Sequence, residues 1–296
     1  MHLEKIEPER GINFKLTHPF LAKIIKKQAL TEVSNAEETF HLVLSVENSG
    51  MKFYEGQAIG VIPPGKREDG RPLKPRLYSI ASSRYGEDGN PNHLALTVKR
   101  SVWVGAQNQE IFGVCSDYLC RTQLGDSVPI ISPTGRLMLL PKVENADFVF
   151  IATGTGIAPI RGYLQYLNHP KTNFQGRVFV YLGFKTEKEA LYFNPSNAEL
   201  KNFQPKFPFH CKIALSREQK NTKGERMYVG DLITQDFPIW ENLLHSPNLA
   251  FYVCGLKGME QGINSALEGL SNKINLDWLP RKKALEEENR MNIEVY

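Results

Sequence analysis

Apolar and polar residues alternate in short runs along the first half of the chain. In 39–46 (TFHLVLSV) Phe40, Leu42, Leu44 and Val46 share one face, and in 93–98 (HLALTV) Leu94, Leu96 and Val98 do the same. A period of two marks a strand with one face in a core. The run 56–65 (GQAIGVIPPG) reads as a strand stopped by prolines, which cannot donate to a ladder. Short strands separated by Gly/Pro turns predict an antiparallel barrel or sandwich up to about residue 141.

Beyond 133–141 (PTGRLMLLP) the pattern changes. Continuous apolar runs at 148–152 (FVFIA), 177–184 (RVFVYLGF), 209–216 (FHCKIALS) and 249–255 (LAFYVCG) predict strands buried on both faces. Helical spacing falls between them, in 157–167 (IAPIRGYLQYL) and 258–270 (GMEQGINSALEGL). Strands alternating with helices predict a parallel sheet with right-handed crossovers. The expected organisation is an N-terminal extension at 1–20 with no role assigned to it, a β domain at 21–141 and an α/β domain at 142–296.

Composition narrows the function classes. At 296 residues, 41% hydrophobic and 23% charged, the chain is an ordinary globular one with room for two cores. The net charge of +4 is too small to argue for nucleic acid. No apolar run is long enough to predict a membrane span. Cys115, Cys120, Cys211 and Cys254 form no C-x-x-C pair, so neither a metal site nor a disulfide framework is expected and a reducing compartment fits. The acid-containing start (MHLEKIEPER) points to a bacterial cytoplasm, with a plastid stroma as the alternative if a transit segment has been removed. Charge is concentrated at 64–85, where Lys66, Arg67, Arg71, Lys74, Arg76 and Arg84 outweigh Glu68 and Asp69. This is either a solvated loop or a docking patch for an acidic partner.

Three stretches carry candidate chemistry. TGTGIAP (153–159) follows a strand and opens a helix, and Gly154 and Gly156 allow backbone N–H groups close to a pyrophosphate. SREQKNTKGERMY (216–228) follows another strand, where an NAD site would place an acid; Ser216, Arg217 and Arg226 instead suit a 2′-phosphate, and Tyr228 suits an adenine face. CGLKGM (254–259) is a second strand-to-helix glycine turn, in which Cys254 by itself reads as an inert packing residue. In RLYS (76–79), Arg76 and Tyr78 share a face, and a strand arginine there calls for an anion.

The motifs R-x-Y-S, G-V-C-S (113–116), T-G-T-G-I-A-P-x-R, S-R-E-Q…K-G-E-R-M-Y, C-G-L-K-G-M-E and a terminal E-V-Y occur here in one order. From about residue 20 to the end the chain resembles the plant-type ferredoxin–NADP(+) reductases of plastids and cyanobacteria. The resemblance implies a six-stranded antiparallel FAD-binding barrel followed by a Rossmann-like parallel-sheet NADP-binding domain. It implies that Arg76, Leu77, Tyr78 and Ser79 hold the flavin, with Ser79 near N5. Leu96, Val98 and Lys99 then correspond to a second FAD strand, Gly113, Val114, Cys115 and Ser116 to the pyrophosphate turn, and Trp103 to an adenine-stacking aromatic. Thr155, Ser216, Arg217, Arg226, Tyr228, Gly255 and Leu256 would bind NADP(H). Cys254 would lie beside the nicotinamide, reversing the inert reading, with Glu294 as a proton relay and Tyr296 stacked on the flavin.

The implied reaction is hydride transfer between NADP(H) and FAD, coupled to one-electron exchange with ferredoxin or flavodoxin. An acidic carrier would dock near Lys66, Arg67, Arg71 and Lys74, and a monomer is expected. Glu286 and Glu287 stand where many relatives carry lysines, and Gly230 where a glutamine is common. The alternatives are an NADPH-dependent reductase feeding an oxygenase or other acceptor, and a non-catalytic module that keeps the nucleotide pockets.

Overall fold

The computed structural model describes residues 4–9, 11–32, 38–142 and 144–296. The first half forms β1 (Phe20–Ala29), β2 (Thr39–Ser45), β3 (Ala58–Val61), β4 (Arg76–Ser79) and β5 (His93–Lys99). A small hairpin of β6 (Val102–Val104) and β7 (Glu110–Phe112), a helix α1 (Val114–Arg121) and β8 (Ser127–Thr134) follow. Six of these strands make one antiparallel sheet in the order β4-β3-β8-β1-β2-β5. An antiparallel bridge between Ile80 and Leu96 brings its two edges together, closing the barrel.

The alternation read from β2 and β5 is real, and Phe40, Leu42, Leu44, Leu94, Leu96 and Val98 all sit in the barrel core. The opposite face is not solvated as a half-buried strand would be. His41, Val43, Ala95 and Thr97 are also buried, because the second half of the molecule packs against them.

That second half contains β9 (Asp147–Thr153), α2 (Ile157–Asn168), β10 (Arg177–Phe184), β11 (Phe209–Leu215), α3 (Val229–Gln235), α4 (Phe237–His245), β12 (Leu249–Gly255), α5 (Met259–Lys273), α6 (Trp278–Glu287) and β13 (Met291–Val295). Its sheet is wholly parallel, in the order β11-β10-β9-β12-β13. Within β9, Phe148, Phe150 and Ala152 pack with α2, while Val149 and Ile151 pack with the α3–α6 side. Both faces are covered, so the strands read as unbroken apolar runs. The fold expected from sequence, an antiparallel six-stranded barrel followed by a parallel sheet with helices, is the fold observed.

Two expectations change. The segment before β1, left without a role, is tied down: Ile6 N–H donates to the Leu140 carbonyl (2.9 Å) and Lys5 Nζ to Asn292 Oδ1 of β13 (2.6 Å). Arg84 does not belong to the basic surface run. Its Nε donates to Glu55 (3.1 Å), and its guanidinium lies 4.1 and 4.5 Å from the ring centres of Tyr54 and Tyr166. The Glu55 carboxylate is buried, and a buried charge requires a partner.

Candidate functional site

One cleft of about 1880 Å³ runs between the barrel and the parallel sheet. On the barrel wall stand the four residues of β4. Arg76 is exposed and Nη1 donates to the Lys74 carbonyl (3.1 Å). Burial raises the Tyr78 hydroxyl well above its usual range, and the Cys115 thiol beside it is raised by burial too. Ser79 is half-buried on the same wall. The N-terminus of α1 opens onto this wall at Gly113, with no side-chain cap among the described residues. Ser116 Oγ donates to the Gly113 carbonyl (3.1 Å) and accepts from Ser101 N–H (3.0 Å), which holds the turn. A helix N-terminus beside an exposed guanidinium suits phosphate. Leu77, Trp103 and Val114 are 61%, 51% and 56% exposed around it, an unusual grouping of large apolar surface that suits a flat ring system.

Of the three residues that the resemblance implied in the strand at 93–99, Lys99 lines the cleft and Leu96 and Val98 do not. Leu96 and Val98 point into the barrel core, and the alternate residues Thr97 and Lys99 reach the cleft. The period of two in HLALTVK carries this distinction.

The opposite wall is built at the C-terminal ends of β9 and β12, adjacent strands of the parallel sheet. The TGTG stretch forms a single 3-10 turn, Gly154–Gly156, ahead of α2. Gly154 (φ 54°) faces open space. Gly156 has a different reason to be glycine: a Cβ there would lie 2.1 Å from the Cys254 carbonyl, so it serves contact with β12 rather than with a ligand. Thr153 Oγ1 accepts from Leu256 N–H (3.0 Å), joining this turn to the CGLKGM turn.

Ser216, Arg226 and Tyr228 line the far end of the cleft, with Arg226 and Tyr228 exposed. Arg217 is exposed but lies off the wall; its N–H donates to the Lys185 carbonyl (2.8 Å). Lys185 itself lines the cleft at the end of β10, a position the sequence reading passed over. Gly230 packs against α5, where a Cβ would meet the Gly262 carbonyl at 2.7 Å.

The chain end is ordered by strand pairing. β13 runs parallel to β12, with Cys254 opposite Glu294 and Gly255 opposite Val295. Tyr296 N–H donates to the Gly255 carbonyl (3.0 Å), and its hydroxyl lies 2.5 Å from Thr155 Oγ1. Burial pushes the Tyr296 hydroxyl up to about 12. Burial, with Glu294 nearby, pushes the Cys254 thiol to about 12, so it remains protonated at neutral pH. Cys254 is 1% exposed and off the cleft wall, whereas Glu294, Val295, Tyr296 and Leu256 are on it. Gly255, with φ of 149°, packs its Cα face on Thr153.

Comparison with known proteins places this architecture. Residues 150–265 match the model of the oxidoreductase NAD-binding domain. The ferredoxin–NADP reductase of Spirulina sp is 36% identical over 290 residues, covering 96% of this chain and 97% of that protein. The chloroplastic ferredoxin–NADP reductase of Spinacia oleracea is 37% identical over 302 residues, covering 100% of this chain and 80% of that protein. The solved ferredoxin–NADP+ reductase of Plasmodium falciparum superposes with a TM-score of 0.71 at 27% identity, covering 97% of this chain and 100% of that one. With such identity along almost its whole length, the chain belongs to the ferredoxin–NADP reductase family.

Proposed function

We propose that this protein is an FAD-dependent ferredoxin (or flavodoxin)–NADP(+) oxidoreductase, with residues 21–141 binding FAD and 142–296 binding NADP(H). The observation that carries the proposal is the shared cleft, in which Arg76–Ser79 and the α1 N-terminus face the ends of β9, β12 and β13. Bound FAD supplies the ring that exchanges a hydride with nicotinamide C4 and electrons, one at a time, with a carrier protein.

The chain's own residues bind, orient and exclude. Arg76 and the uncapped N–H groups of Val114, Cys115 and Ser116 at the start of α1 neutralise a pyrophosphate. Leu77, Tyr78 and Trp103 offer apolar and aromatic faces to the flavin and its adenine, and Ser79 offers a hydroxyl to a ring nitrogen. Ser216 and Arg226 hold the 2′-phosphate of NADP(H), Arg217 adds positive charge at the rim, and Tyr228 stacks on the adenine. A solved structure of the Plasmodium enzyme holds 2′P-AMP, the fragment that such a subsite would recognise.

At the reacting end, Tyr296 covers the position that nicotinamide needs. Its displacement breaks the Thr155 hydrogen bond and, with flavin bound, would give up ring stacking worth about 0.5–1.5 kcal/mol, a cost low enough for a substrate to overcome. Release of the chain end opens Cys254, whose protonated thiol and neighbouring Glu294 then border the nicotinamide. Thr155, Gly255 and Leu256 frame the same subsite.

The alternative acceptor reading draws on α6. Glu286 and Glu287 are exposed there, spaced to pair with Lys282 (3.7 Å) and Lys283 (3.8 Å), and this acidic turn does not favour an acidic carrier. Fold alone does not fix the partner.

The deciding experiment is the visible spectrum of the purified protein, followed by NADPH- and NADH-driven ferricyanide reduction and then ferredoxin reduction. A flavin spectrum and an NADPH preference that falls about 10- to 100-fold in Arg226→Ala support the reading, since a charge-assisted hydrogen bond contributes about 1.5–3 kcal/mol. Fast NADPH oxidation with poor ferredoxin reduction favours the other acceptor. A colourless protein without turnover returns the chain to a non-catalytic module.

A further inference from the structure

The cofactor roles above leave unused the charged residue of the TGTGIAPIR stretch. Arg161 lies in the second turn of α2, 2% exposed and off the cleft wall. Its guanidinium reaches into the barrel half. Nη1 donates to the Ala81 carbonyl (2.8 Å) and to Glu87 Oε2 (2.7 Å), and Nη2 donates to Glu87 Oε1 (2.7 Å). Nε donates to Glu199 (3.0 Å). A fork of fixed donors thus fills two carboxylates and a backbone carbonyl at once.

The network continues toward the cleft. His41 Nε2 lies 3.0 Å from Glu87 Oε1, and His41 Nδ1 lies 3.0 Å from the Tyr192 hydroxyl. That hydroxyl is 2.6 Å from Thr97 Oγ1, and Thr97 is on the cleft wall. Tyr192 is fully buried with φ of 65°, a conformation that costs an L-residue about 1–2 kcal/mol. The packing and hydroxyl contacts around it hold the residue in that conformation.

The placement along the chain is informative. Ala81 follows Ser79 by two residues, and Thr155 precedes Arg161 by six, at the start of the same helical segment. Arg161 therefore ties the strand end on one wall to the turn on the other. A buried network of this kind is stiff, because each donor lost leaves a buried group unpaired.

We infer that Arg161 is a positioning residue, which with Glu87, His41 and Tyr192 fixes the distance between the group held at Ser79 and the group held at Thr155. The inference rests on the oxidoreductase reading of this cleft. Hydride transfer requires reacting atoms about 3–3.5 Å apart, and a 1 Å displacement costs up to about 100-fold. The adenosine end of the nucleotide, held by one wall alone, is indifferent to the spacing.

The test compares flavin-loaded wild type, Arg161→Lys and Tyr192→Phe. Three quantities are measured: the hydride-transfer rate per bound flavin by stopped flow, the long-wavelength charge-transfer absorbance on adding NADP+, and the Kd of 2′-phospho-AMP by calorimetry. The rate per flavin should fall about tenfold or more in Arg161→Lys and about threefold in Tyr192→Phe, with the absorbance band weakened in both and the Kd within about twofold of wild type. Unchanged rate and band overturn the inference, whatever happens to the melting temperature, because Arg161 is then only structural. A matching loss of 2′-phospho-AMP affinity also overturns it, since the defect then lies within one wall. Should Arg161→Lys not fold, Tyr192→Phe decides by the same criteria. A wild-type protein that neither binds flavin nor oxidises NADPH sinks the oxidoreductase reading, and this inference with it.

Discussion

Cys254 and Glu294 face each other across the parallel pairing of β12 with β13, forty residues apart in the chain and adjacent in the sheet. Glu294 bears on the acidity of Cys254. Burial is the main cause of the raised Cys254 thiol and Glu294 adds to it, while burial raises the Glu294 carboxyl above its usual range. A thiol held protonated and a carboxyl on the open wall of the cleft are suited to contact and proton exchange, not to nucleophilic attack.

Glu294→Gln should therefore keep full flavin content while lowering the NADPH-driven hydride rate by about 100-fold or more, the usual contribution of a positioned acid–base group. Stopped-flow absorbance of the flavin reads this directly. A variant with wild-type rate would remove Glu294 from the reaction.

The Tyr296 hydroxyl is bonded to Thr155, at the start of the turn that leads into α2. Tyr296→Ser removes the ring and keeps a hydroxyl. NADP+ should bind about two- to tenfold more tightly, matching an aromatic contact of about 0.5–1.5 kcal/mol, and discrimination against NADH should shrink. Difference spectra give the Kd. Weaker binding would mean that Tyr296 supports the nucleotide instead of competing with it.

The legible and illegible parts of this molecule divide on physical grounds. FVFIA, RVFVYLGF and LAFYVCG are apolar on both faces because helices cover both sides of their sheet, and their boundaries in the sequence match the strands closely. HLALTV showed its core face plainly. Its other face looked exposed because nothing local to the strand reveals that α2 and Tyr192 will pack there. Gly156 looked like a phosphate-loop glycine, yet the atom that excludes a side chain is a carbonyl on β12, almost a hundred residues away. Arg84 reads as surface charge in the sequence, but its carboxylate partner Glu55 is buried. Each miss involves a partner distant in sequence, which periodicity cannot encode.

Lys66, Arg67, Arg71 and Lys74 are all exposed on the connection between β3 and β4, close in sequence to Arg76 on the cleft wall. Asp69 lies 3.6 Å from the Arg67 guanidinium and accepts from the Arg71 N–H (3.1 Å). A double variant, Lys66→Glu with Lys74→Glu, should raise the KM for ferredoxin about tenfold and leave ferricyanide turnover unchanged. Added salt should slow the ferredoxin reaction in wild type and hardly affect it in the variant. Equal salt sensitivity with both acceptors would place carrier docking elsewhere.

Glu87 gives the molecule an acid-sensitive joint. Burial alone would raise its carboxyl; contact with His41 and the Arg161 guanidinium outweighs burial and holds it at about 2. A carboxyl depressed in the folded state stabilises the fold above its unfolded value of 4.5, and that contribution fades as pH falls from there toward 2. Glu87→Gln should therefore cost about 3 kcal/mol at pH 7, measured by urea unfolding, and the deficit should shrink by roughly half at pH 3. The shift comes from the charge of Glu87, so a deficit that stays constant with pH would mean that only its shape and hydrogen bonds matter. In that case Arg161 would be held mainly by Glu199 and the Ala81 carbonyl, and the joint between barrel and sheet would be indifferent to acid.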